Sequence, residues 1–228
     1  QPIMITRRHL LQGAAAAVCA AATPALTSLC AAQQKRAAVA GKDYIIVRPP
    51  VDYPERPILV HNFFAYTCPH CLTFEPVIDA FAEELKSMSD VKFVASPVAW
   101  NTDLDIFSSV YYSLEAMNRL GDIHLPFWNW VIREDHAGWT STEAIARDIE
   151  AFMDRNGIKS DDWNKMLKSF SVVSKTRQAA RTWKHYGVDS TPSIGIAGRF
   201  ITAPHLVGTR EGAIDMAREL IARVRREK

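Results

Sequence analysis

Apolar residues in the middle of the chain follow two different periods, and together they predict a strand–helix–strand unit. Residues 58–66 form a nearly continuous apolar run rich in aromatic and β-branched side chains, as in a strand buried on both faces. Residues 69–86 then place apolar side chains at spacings of three and four. This spacing predicts an amphipathic helix with an inward face made of Phe74, Val77, Ile78, Phe81 and Leu85. Residues 91–98 predict a second strand, which a right-handed crossover would place parallel to the first.

The remaining pattern predicts a short strand before this unit, and helices, a hairpin and a last helix after it. Residues 44–47 indicate the first strand, and residues 103–187 are helical almost throughout. Residues 193–197 and 200–202 predict the hairpin, and residues 210–226 the last helix. Without the helical block the order is β-β-α-β and then β-β-α, which is the thioredoxin arrangement. The predicted fold class is therefore α/β, a thioredoxin fold with an inserted all-helical subdomain.

The first residues differ from the rest and predict a secretory signal peptide. Arg7 and Arg8 precede an alanine-rich apolar stretch that is followed by small residues, the order of a cleavable leader. The sequence around the two arginines also resembles the twin-arginine export signal. Cleavage after Ala32 fits, and Cys30 is a weak lipoprotein candidate because Leu29 precedes it. The predicted boundaries are 1–32 for the leader, 33–102 and 188–228 for the two parts of the thioredoxin domain, and 103–187 for the insert.

Composition and charge exclude several classes of protein. The chain has 228 residues, of which 48% are hydrophobic and 23% charged, which argues against disorder and against collagen. Loss of Arg7 and Arg8 with the leader would bring the 27 basic residues level with the 25 acidic ones, so nucleic acid is not an expected partner. No apolar run after residue 40 approaches the roughly 20 residues that a membrane helix needs.

The motif Cys68-Pro69-His70-Cys71 stands where the buried strand gives way to the helix. A helix N-terminus presents unpaired N–H groups and the positive end of the helix dipole, which stabilise a thiolate on Cys68 and lower its pKa. Pro69 falls in the first turn, where its missing N–H costs nothing. A cationic His70 would stabilise the thiolate further. The motif therefore predicts a redox-active cysteine pair.

Other roles for two cysteines fit this sequence less well. A structural zinc site needs four ligands, and only Cys68 and Cys71 remain once the leader is removed. A c-type haem site has a histidine directly after the second cysteine, where this chain has Leu72. A purely structural disulfide stays open, although so short a ring stabilises little through chain entropy.

The motif and its surroundings resemble the DsbA-type thiol–disulfide oxidoreductases of the bacterial periplasm. The resemblance covers essentially the whole chain after the leader, and Cys-Pro-His-Cys is the tetrapeptide typical of that family. A second matching element spans residues 187–193 and contains Thr191 and Pro192. The resemblance implies that Pro192 follows a cis peptide bond and packs against the redox pair. It also implies that the backbone of Thr191 pairs with a substrate peptide.

The sequence departs from this family beneath the redox pair. DsbA-type proteins commonly carry a buried acid on the active-site strand and a lysine on the neighbouring strand, where this chain has Asn62 and, approximately, Ala95. The acid is thought to move the proton of the buried second thiol. We expect Asn62, through water, or Glu75, one helical turn after Cys71, to serve this proton route. His61 should face the other side of the strand as a satisfied core histidine.

Aromatic residues concentrate within the helical block. They could form a groove for unfolded substrates or for a membrane partner, but the core of the insert is the favoured interpretation for Phe127, Trp128, Trp130 and Trp139. Pro126, directly before them, predicts the start of a helix. The segment Thr140-Ser141-Thr142-Glu143 predicts the N-cap of a later helix with an acid in its first turn, and Gly157 predicts its end.

The resemblance implies a dithiol oxidase that introduces disulfide bonds into exported proteins through a Cys68–Cys71 disulfide. It implies newly exported cysteine-containing proteins as substrates, a DsbB-like quinone-linked membrane protein as reoxidant, and a monomer in the periplasm. No cofactor and no metal are expected. Two rival functions stay open. One is a reductase or isomerase kept reduced by another partner, and the other is a metal-handling thiol chaperone that uses both cysteines as ligands.

Overall fold

A mixed sheet organises the part of the chain that the structure describes, residues 36–227 of a computed structural model. The leader predicted at residues 1–32 lies outside the described residues. In the described part, the sheet has five strands in the order β1-β5-β4-β2-β3. The strands are β1 (Ile45–Ile46), β2 (Ile58–Phe64), β3 (Val91–Pro97), β4 (Ser193–Ile196) and β5 (Phe200–Thr202). All five were predicted, and thioredoxin topology follows from their order and connections.

Strand β2 is buried at six of its seven positions because it has a neighbouring strand on each side and helices on both faces. It runs parallel to β3 and antiparallel to β4. Its side chains contribute to three separate apolar clusters: Val60 to one with the first and last helices, Phe63 to one near Tyr186, and Phe64 to the core of the helical insert. The predicted strand extended to residue 66, but pairing ends at Phe64 because the chain turns there toward the first helix.

Helices account for most of the remaining described chain. Between β2 and β3 lies α1 (Pro69–Lys86), which begins and ends where the sequence predicted. Its buried face includes Phe74, Ile78, Phe81 and Leu85, whereas Val77 is only half-buried. After β5 come the short α7 (Pro204–Val207) and the long α8 (Arg210–Arg226), and α8 packs beside α1 on the same face of the sheet.

Five helices form the insert between β3 and β4, after one short 3₁₀ turn. They are α2 (Asp105–Ala116), α3 (Leu120–Arg133), α4 (Thr142–Arg155), α5 (Ser160–Leu167) and α6 (Phe170–Tyr186). Ser141 caps α4 by accepting a hydrogen bond from the N–H of Ala144, which confirms an N-cap within the predicted segment 140–143. Gly157 follows the end of α4 with a φ of +82°, also as predicted.

The aromatic cluster of the insert is its core. Phe127 and Trp128 are fully buried and Trp130 is nearly so, while Trp139 is partly buried and stacks on His136 at a ring-centroid distance of 3.7 Å. This arrangement agrees with the favoured interpretation of these four residues. A well-packed aromatic core gives the insert its own source of stability.

The prediction that Pro126 starts a helix was wrong. Pro126 lies inside α3, six residues after the helix begins at Leu120. A proline removes the hydrogen bond to the carbonyl four residues earlier, which here belongs to Asp122 in the exposed first turn. That carbonyl can be solvated by water, so the proline is tolerated and does not mark the boundary.

The end of α6 docks against the sheet at a glycine. A Cβ on Gly195 in β4 would lie 2.6 Å from the Tyr186 ring and 2.7 Å from the Phe63 ring. Such distances are too short for any side chain, so only glycine allows this close approach. The Tyr186 hydroxyl also accepts a hydrogen bond of 2.7 Å from the N–H of Gly198. The insert is thereby fastened to the strand that returns the chain to the thioredoxin domain.

Candidate active site at the junction of strand and helix

The two cysteines lie at the start of α1, just beyond the end of β2. Cys68 is the N-cap residue, and Pro69 occupies the first helical position, as the sequence predicted. Cys68 is partly exposed, whereas Cys71 is buried with 1% of its surface accessible. The backbone N–H of Cys71 donates to the Cys68 sulfur at 3.3 Å, and this bond satisfies one of the free amides of the first turn. One sulfur therefore faces solvent and the other faces the protein interior.

The environment of Cys68 favours its thiolate form. The hydrogen bond from the Cys71 thiol is the largest cause that lowers the pKa of Cys68, from 9.0 to about 6. Partial burial opposes this shift, while the Thr191 side chain and the backbone amides of Cys71 and His70 add to it. A pKa of about 6 lies within the range typical of reactive cysteines at helix N-termini. Cys68 is therefore largely a thiolate at neutral pH.

The environment of Cys71 favours its protonated form. Burial is the largest cause that raises the pKa of Cys71 well above its ordinary value, and the neighbouring Cys68 acts in the same direction. Two like charges this close in a poorly solvated site disfavour each other strongly. The reduced pair therefore holds one thiolate, on Cys68, and one proton, on Cys71.

The second predicted element lies directly against the first. The Thr191–Pro192 peptide bond is cis, and Pro192 is buried. In the thiol form, Cys68 Sγ contacts the carbonyl oxygen of Thr191 at 3.4 Å. The sheet register explains the contact, because Phe63 near the end of β2 is opposite Ser193 at the start of β4. Residues far apart in sequence thus meet at one edge of the sheet.

A groove of about 510 Å³ opens beside the cysteine pair. Its lining includes His70, Thr73, Thr191, Pro192, His205 and Arg210. The guanidinium of Arg210, at the start of α8, donates to the carbonyl of Thr73 at 2.8 Å and ties the two helices together at this edge. Sequence reasoning did not single out His205 or Arg210, because nothing in their local pattern links them to the cysteine motif.

The two polar side chains beneath the cysteine pair, Asn62 and Glu75, differ in their hydrogen bonding. Asn62 is opposite Ala95 in the register of β2 and β3, as the motif match predicted. Asn62 Oδ1 is buried and has no hydrogen-bond partner among the described residues. Glu75 is buried as well, and one of its oxygens lies 3.1 Å from His124 Nε2. His124 was missed by the sequence analysis, since it lies 49 residues further along the chain and no motif contains it.

His61 lies on the opposite face of β2 from Asn62, and only one of its ring nitrogens has a hydrogen-bond partner among the described residues. Its Nδ1 lies 2.8 Å from Ser96 Oγ, but its buried Nε2 has no hydrogen-bond partner within residues 36–227. Burial lowers the pKa of His61 to about 4, so the ring is neutral at physiological pH. The prediction that His61 is a core histidine is confirmed. The prediction that its hydrogen bonds are satisfied is confirmed for Nδ1 and wrong for Nε2 within the described residues.

Comparison with known proteins agrees with this geometry over most of the chain. A family model described as thioredoxin matches residues 54–216. The chain belongs to the thioredoxin family. The thiol:disulfide interchange protein DsbA of Bordetella parapertussis is 29% identical over 210 residues, covering 91% of this chain and 95% of that protein. DsbA of Burkholderia cepacia is 27% identical over 194 residues, which are 84% of this chain and 88% of that protein.

Solved structures confirm the fold of this thioredoxin-family protein. The crystal structure of Pseudomonas aeruginosa DsbA superposes with a TM-score of 0.71 at 24% identity, covering 83% of this chain and 96% of that one. The curated relatives confirm the resemblance to DsbA, and the protein is a thiol:disulfide oxidoreductase of the DsbA type. Within residues 36–227, no helix is long and apolar enough to cross a bilayer.

Proposed function

We propose that this thioredoxin-family protein oxidises pairs of cysteines in exported proteins through a disulfide between Cys68 and Cys71. The observation that carries the proposal is that the two cysteines differ in acidity. The pKa of Cys68 is lowered to about 6, whereas the pKa of Cys71 is raised well above its ordinary value. A stabilised Cys68 thiolate stabilises the reduced pair, which makes the disulfide form an oxidant.

The first step is attack of a substrate thiolate on Cys68 Sγ, the accessible sulfur. A substrate–Cys68 disulfide forms, the Cys68–Cys71 bond breaks, and the electron pair leaves on Cys71. Because burial raises the pKa of Cys71, its sulfur takes up a proton and becomes a thiol. Protonation keeps Cys71 from attacking the mixed disulfide and reversing the step, since the thiolate is the nucleophile in such exchanges.

The second step releases the substrate. A second substrate thiol loses its proton and attacks the substrate sulfur of the mixed disulfide, and Cys68 leaves as a thiolate. The substrate has then lost two electrons and the cysteine pair has gained them. A leaving thiol of low pKa departs faster, so the hydrogen bonds around Cys68 favour this step as well.

The groove beside Cys68 gives a substrate peptide a place to bind. We propose that an extended segment pairs its backbone with that of Thr191 while its cysteine faces Cys68, as in other cases of strand addition. Pro192 presents no N–H and no competing nucleophile to the two sulfurs. His70 and Arg210 also line this groove and are placed to contact the segments that flank the substrate cysteine.

The proposed setting is the periplasm, with reoxidation by a DsbB-like quinone-linked membrane protein. Support comes from the leader pattern in residues 1–32 and from the similarity to proteins named DsbA. Fusion of residues 1–32 to a reporter that is active only after export tests the location. Replacing both Arg7 and Arg8 by lysine should abolish export if the twin-arginine route is used, and should leave it largely intact if the general route is used.

The decisive experiment is the equilibrium of the cysteine pair with glutathione buffers, on protein that begins after Ala32. We expect a potential on the order of −120 mV, the value known for DsbA itself. A value near −270 mV, as in thioredoxin, would exclude the oxidase and indicate a reductase. A Cys71→Ala variant, which cannot form the internal disulfide, serves as the control for signal that does not come from the pair.

A further inference from the structure

The groove beside the cysteine pair concentrates basic side chains. Its walls come from three segments of the chain, namely α1, the loop before β4, and α7 with the start of α8. The side chains in it that can carry a positive charge are those of His70, His205 and Arg210, and all three are exposed. No aspartate or glutamate of the described chain lines this groove. The formal net charge of the whole chain is only +2, so the positive character of the groove is local.

Arg210 is held in the groove without an acidic partner. Its Nη1 donates to the carbonyl oxygen of Thr73 at 2.8 Å, which fixes the direction of the guanidinium. Its Nε and Nη2 have no hydrogen-bond partner among residues 36–227, and Arg210 forms no ion pair there. An arginine has five N–H donors in a planar fork whose geometry matches a carboxylate. Most of these donors therefore remain available to a ligand.

Other arginines of α8 show what is unusual about Arg210. Arg218, Arg223 and Arg225 each form an ion pair with a carboxylate of this chain. Arg223 and Arg225 also lie in the last turn of α8, where the helix dipole favours a cation. Arg210 lies at the first position of the same helix, where the dipole disfavours a cation. Neither an ion pair nor the dipole therefore stabilises the charge of Arg210.

Two acidic residues close in sequence do not occupy the groove. Glu211 follows Arg210 directly, but neighbouring positions of a helix do not face each other, and Glu211 does not line the groove. Asp189 accepts a hydrogen bond from the Ser190 hydroxyl and does not line the groove either. A carboxylate brought by a substrate would meet no competing carboxylate of the described chain there.

The position of Arg210 relative to Cys68 determines which substrate residue it can reach. Thr73, to which Arg210 is bonded, lies five residues after Cys68, or about 7.5 Å along the axis of α1. An extended peptide advances roughly 3.3 Å per residue, and its side chains alternate between two faces. The residue two positions from the substrate cysteine therefore lies about 6.6 Å from it and on the same face. The residues directly next to the cysteine point to the other face.

We propose that Arg210 selects substrates with an aspartate or glutamate two residues from the reacting cysteine, by binding that carboxylate with its available guanidinium donors. His205 supplies a further N–H donor in the same groove. The inference rests on the proposed function, because it names the class of substrate that the exchange at Cys68 prefers. Arg210 is a specificity-determining residue in this proposal and takes no part in the transfer of protons or electrons.

Matched peptides test the proposal. Dithiol peptides with both ends blocked carry either aspartate or asparagine, at one or at two residues before or after the first cysteine. Acid quenching and mass spectrometry give the rate at which each peptide reduces the oxidised protein. The ratio of aspartate to asparagine rates in the wild type, divided by the same ratio in Arg210→Gln, is the coupling between Arg210 and the carboxylate. Effects of the carboxylate on its own thiol, and of the variant on the redox potential, cancel in this coupling.

We expect a coupling of about 3- to 10-fold at the second position on one side of the cysteine, as for a partly exposed arginine–carboxylate pair. At the two positions adjacent to the cysteine the coupling should be close to 1, because those side chains face away from Arg210. High salt should reduce the coupling, since exposed charges are screened.

Further variants separate charge recognition from structure. Arg226→Gln removes the same charge from the other end of α8, about 24 Å away along the helix axis, and should give a coupling close to 1 at every position. Arg210→Lys keeps the charge without the planar fork and should retain only part of the coupling. Arg210→Glu should reverse the preference, so that a lysine peptide reacts faster than its asparagine counterpart. A damaged fold cannot produce such a reversal, and an acid is favoured at the start of a helix.

The possible results have different meanings. A coupling close to 1 at both second positions would overturn the inference, even if the cysteine pair is oxidising. So would a coupling found only with peptides whose C-terminal carboxylate is left unblocked, since the ligand would then be the chain terminus. A redox potential typical of a reductase would overturn the proposed function instead. The same peptides in their disulfide form, offered to the reduced protein, would still measure the coupling to Arg210.

Discussion

The two sides of the cysteine pair differ in almost every physical respect. On the Cys68 side lie solvent, backbone amides and the groove beside Thr191, all of which favour or admit charge. On the Cys71 side lie the packed aromatic residues of the insert and a short chain of polar groups ending at His124. One helical turn thus separates a sulfur that reacts as an anion from one that is stable only with a proton. Oxidation of a substrate needs both, because the first sulfur must leave easily and the second must stay inert.

Removal of each sulfur in turn should have the largest effect on activity. Cys68→Ser should reduce disulfide transfer to a model dithiol peptide to the uncatalysed rate, because no other accessible sulfur stands at the helix N-terminus. Cys71→Ser, offered a peptide whose cysteine is activated as a disulfide with a small leaving thiol, should instead accumulate a Cys68–peptide disulfide as that thiol departs, a species visible on non-reducing gels. If Cys71→Ser remained fully active, or if it gave no trapped species from activated thiols, the assignment of attack to Cys68 would be wrong.

The pH dependence of stability gives the next largest contrast. In the reduced protein the folded-state pKa of Cys68, about 6, is below its unfolded value near 9. The resulting stabilisation is present in full above the unfolded pKa and is lost as pH falls through about 6. The oxidised protein has no such group. Cys71 has the opposite effect near pH 9, because its raised folded-state pKa keeps it protonated in the folded protein while it ionises in the unfolded one. We therefore expect the melting temperature of the reduced form, relative to the oxidised form, to rise from about pH 6 to about pH 8 and to level off above that.

Alkylation checks the same contrast directly. The rate of reaction of the reduced protein with iodoacetamide should show a midpoint near pH 6, and all of the label should be on Cys68. Cys71 should react only after unfolding. Label on Cys71 in the native protein, or a midpoint near pH 9, would show that the two sulfurs are not distinguished as the structure indicates.

The smallest predicted effect concerns the individual hydrogen bonds to Cys68. Its bond from Cys71 is the largest of the causes that lower its pKa, and the bond from Thr191 comes later. Thr191→Val, which is similar in shape, should therefore raise the pKa of Cys68 less than Cys71→Ala does. Thiolate absorbance followed across pH measures both shifts. A larger shift in the Thr191 variant would reverse the ranking.

Much of the exposed side of the site could be predicted from the sequence because it depends on local rules. The end of an apolar strand, the start of a helix and a proline in its first turn place Cys68 at the N-cap. The cis bond before Pro192 could not be obtained that way, since most such bonds are trans, and it followed from the family resemblance alone.

The buried side could be predicted only in part, because tertiary packing assembles it. Glu75 was a candidate since it lies one turn after Cys71. His124 was not, because its contact with Glu75 depends on how α3 packs against α1. The same limit explains Pro126: the exposure of the first turn of α3 decides that a proline is tolerated there, and local sequence does not reveal that exposure.

The pairing of Phe63 with Ser193 has an engineering consequence. The pairing holds Cys68 and Thr191 in place from two neighbouring strands, and the helical insert between β3 and β4 begins and ends at strands of the same sheet. The sheet therefore aligns the reacting atoms, and the length of the insert does not. Loops between the inserted helices could be shortened, extended or exchanged, with the alignment kept as long as those two strands remain in register.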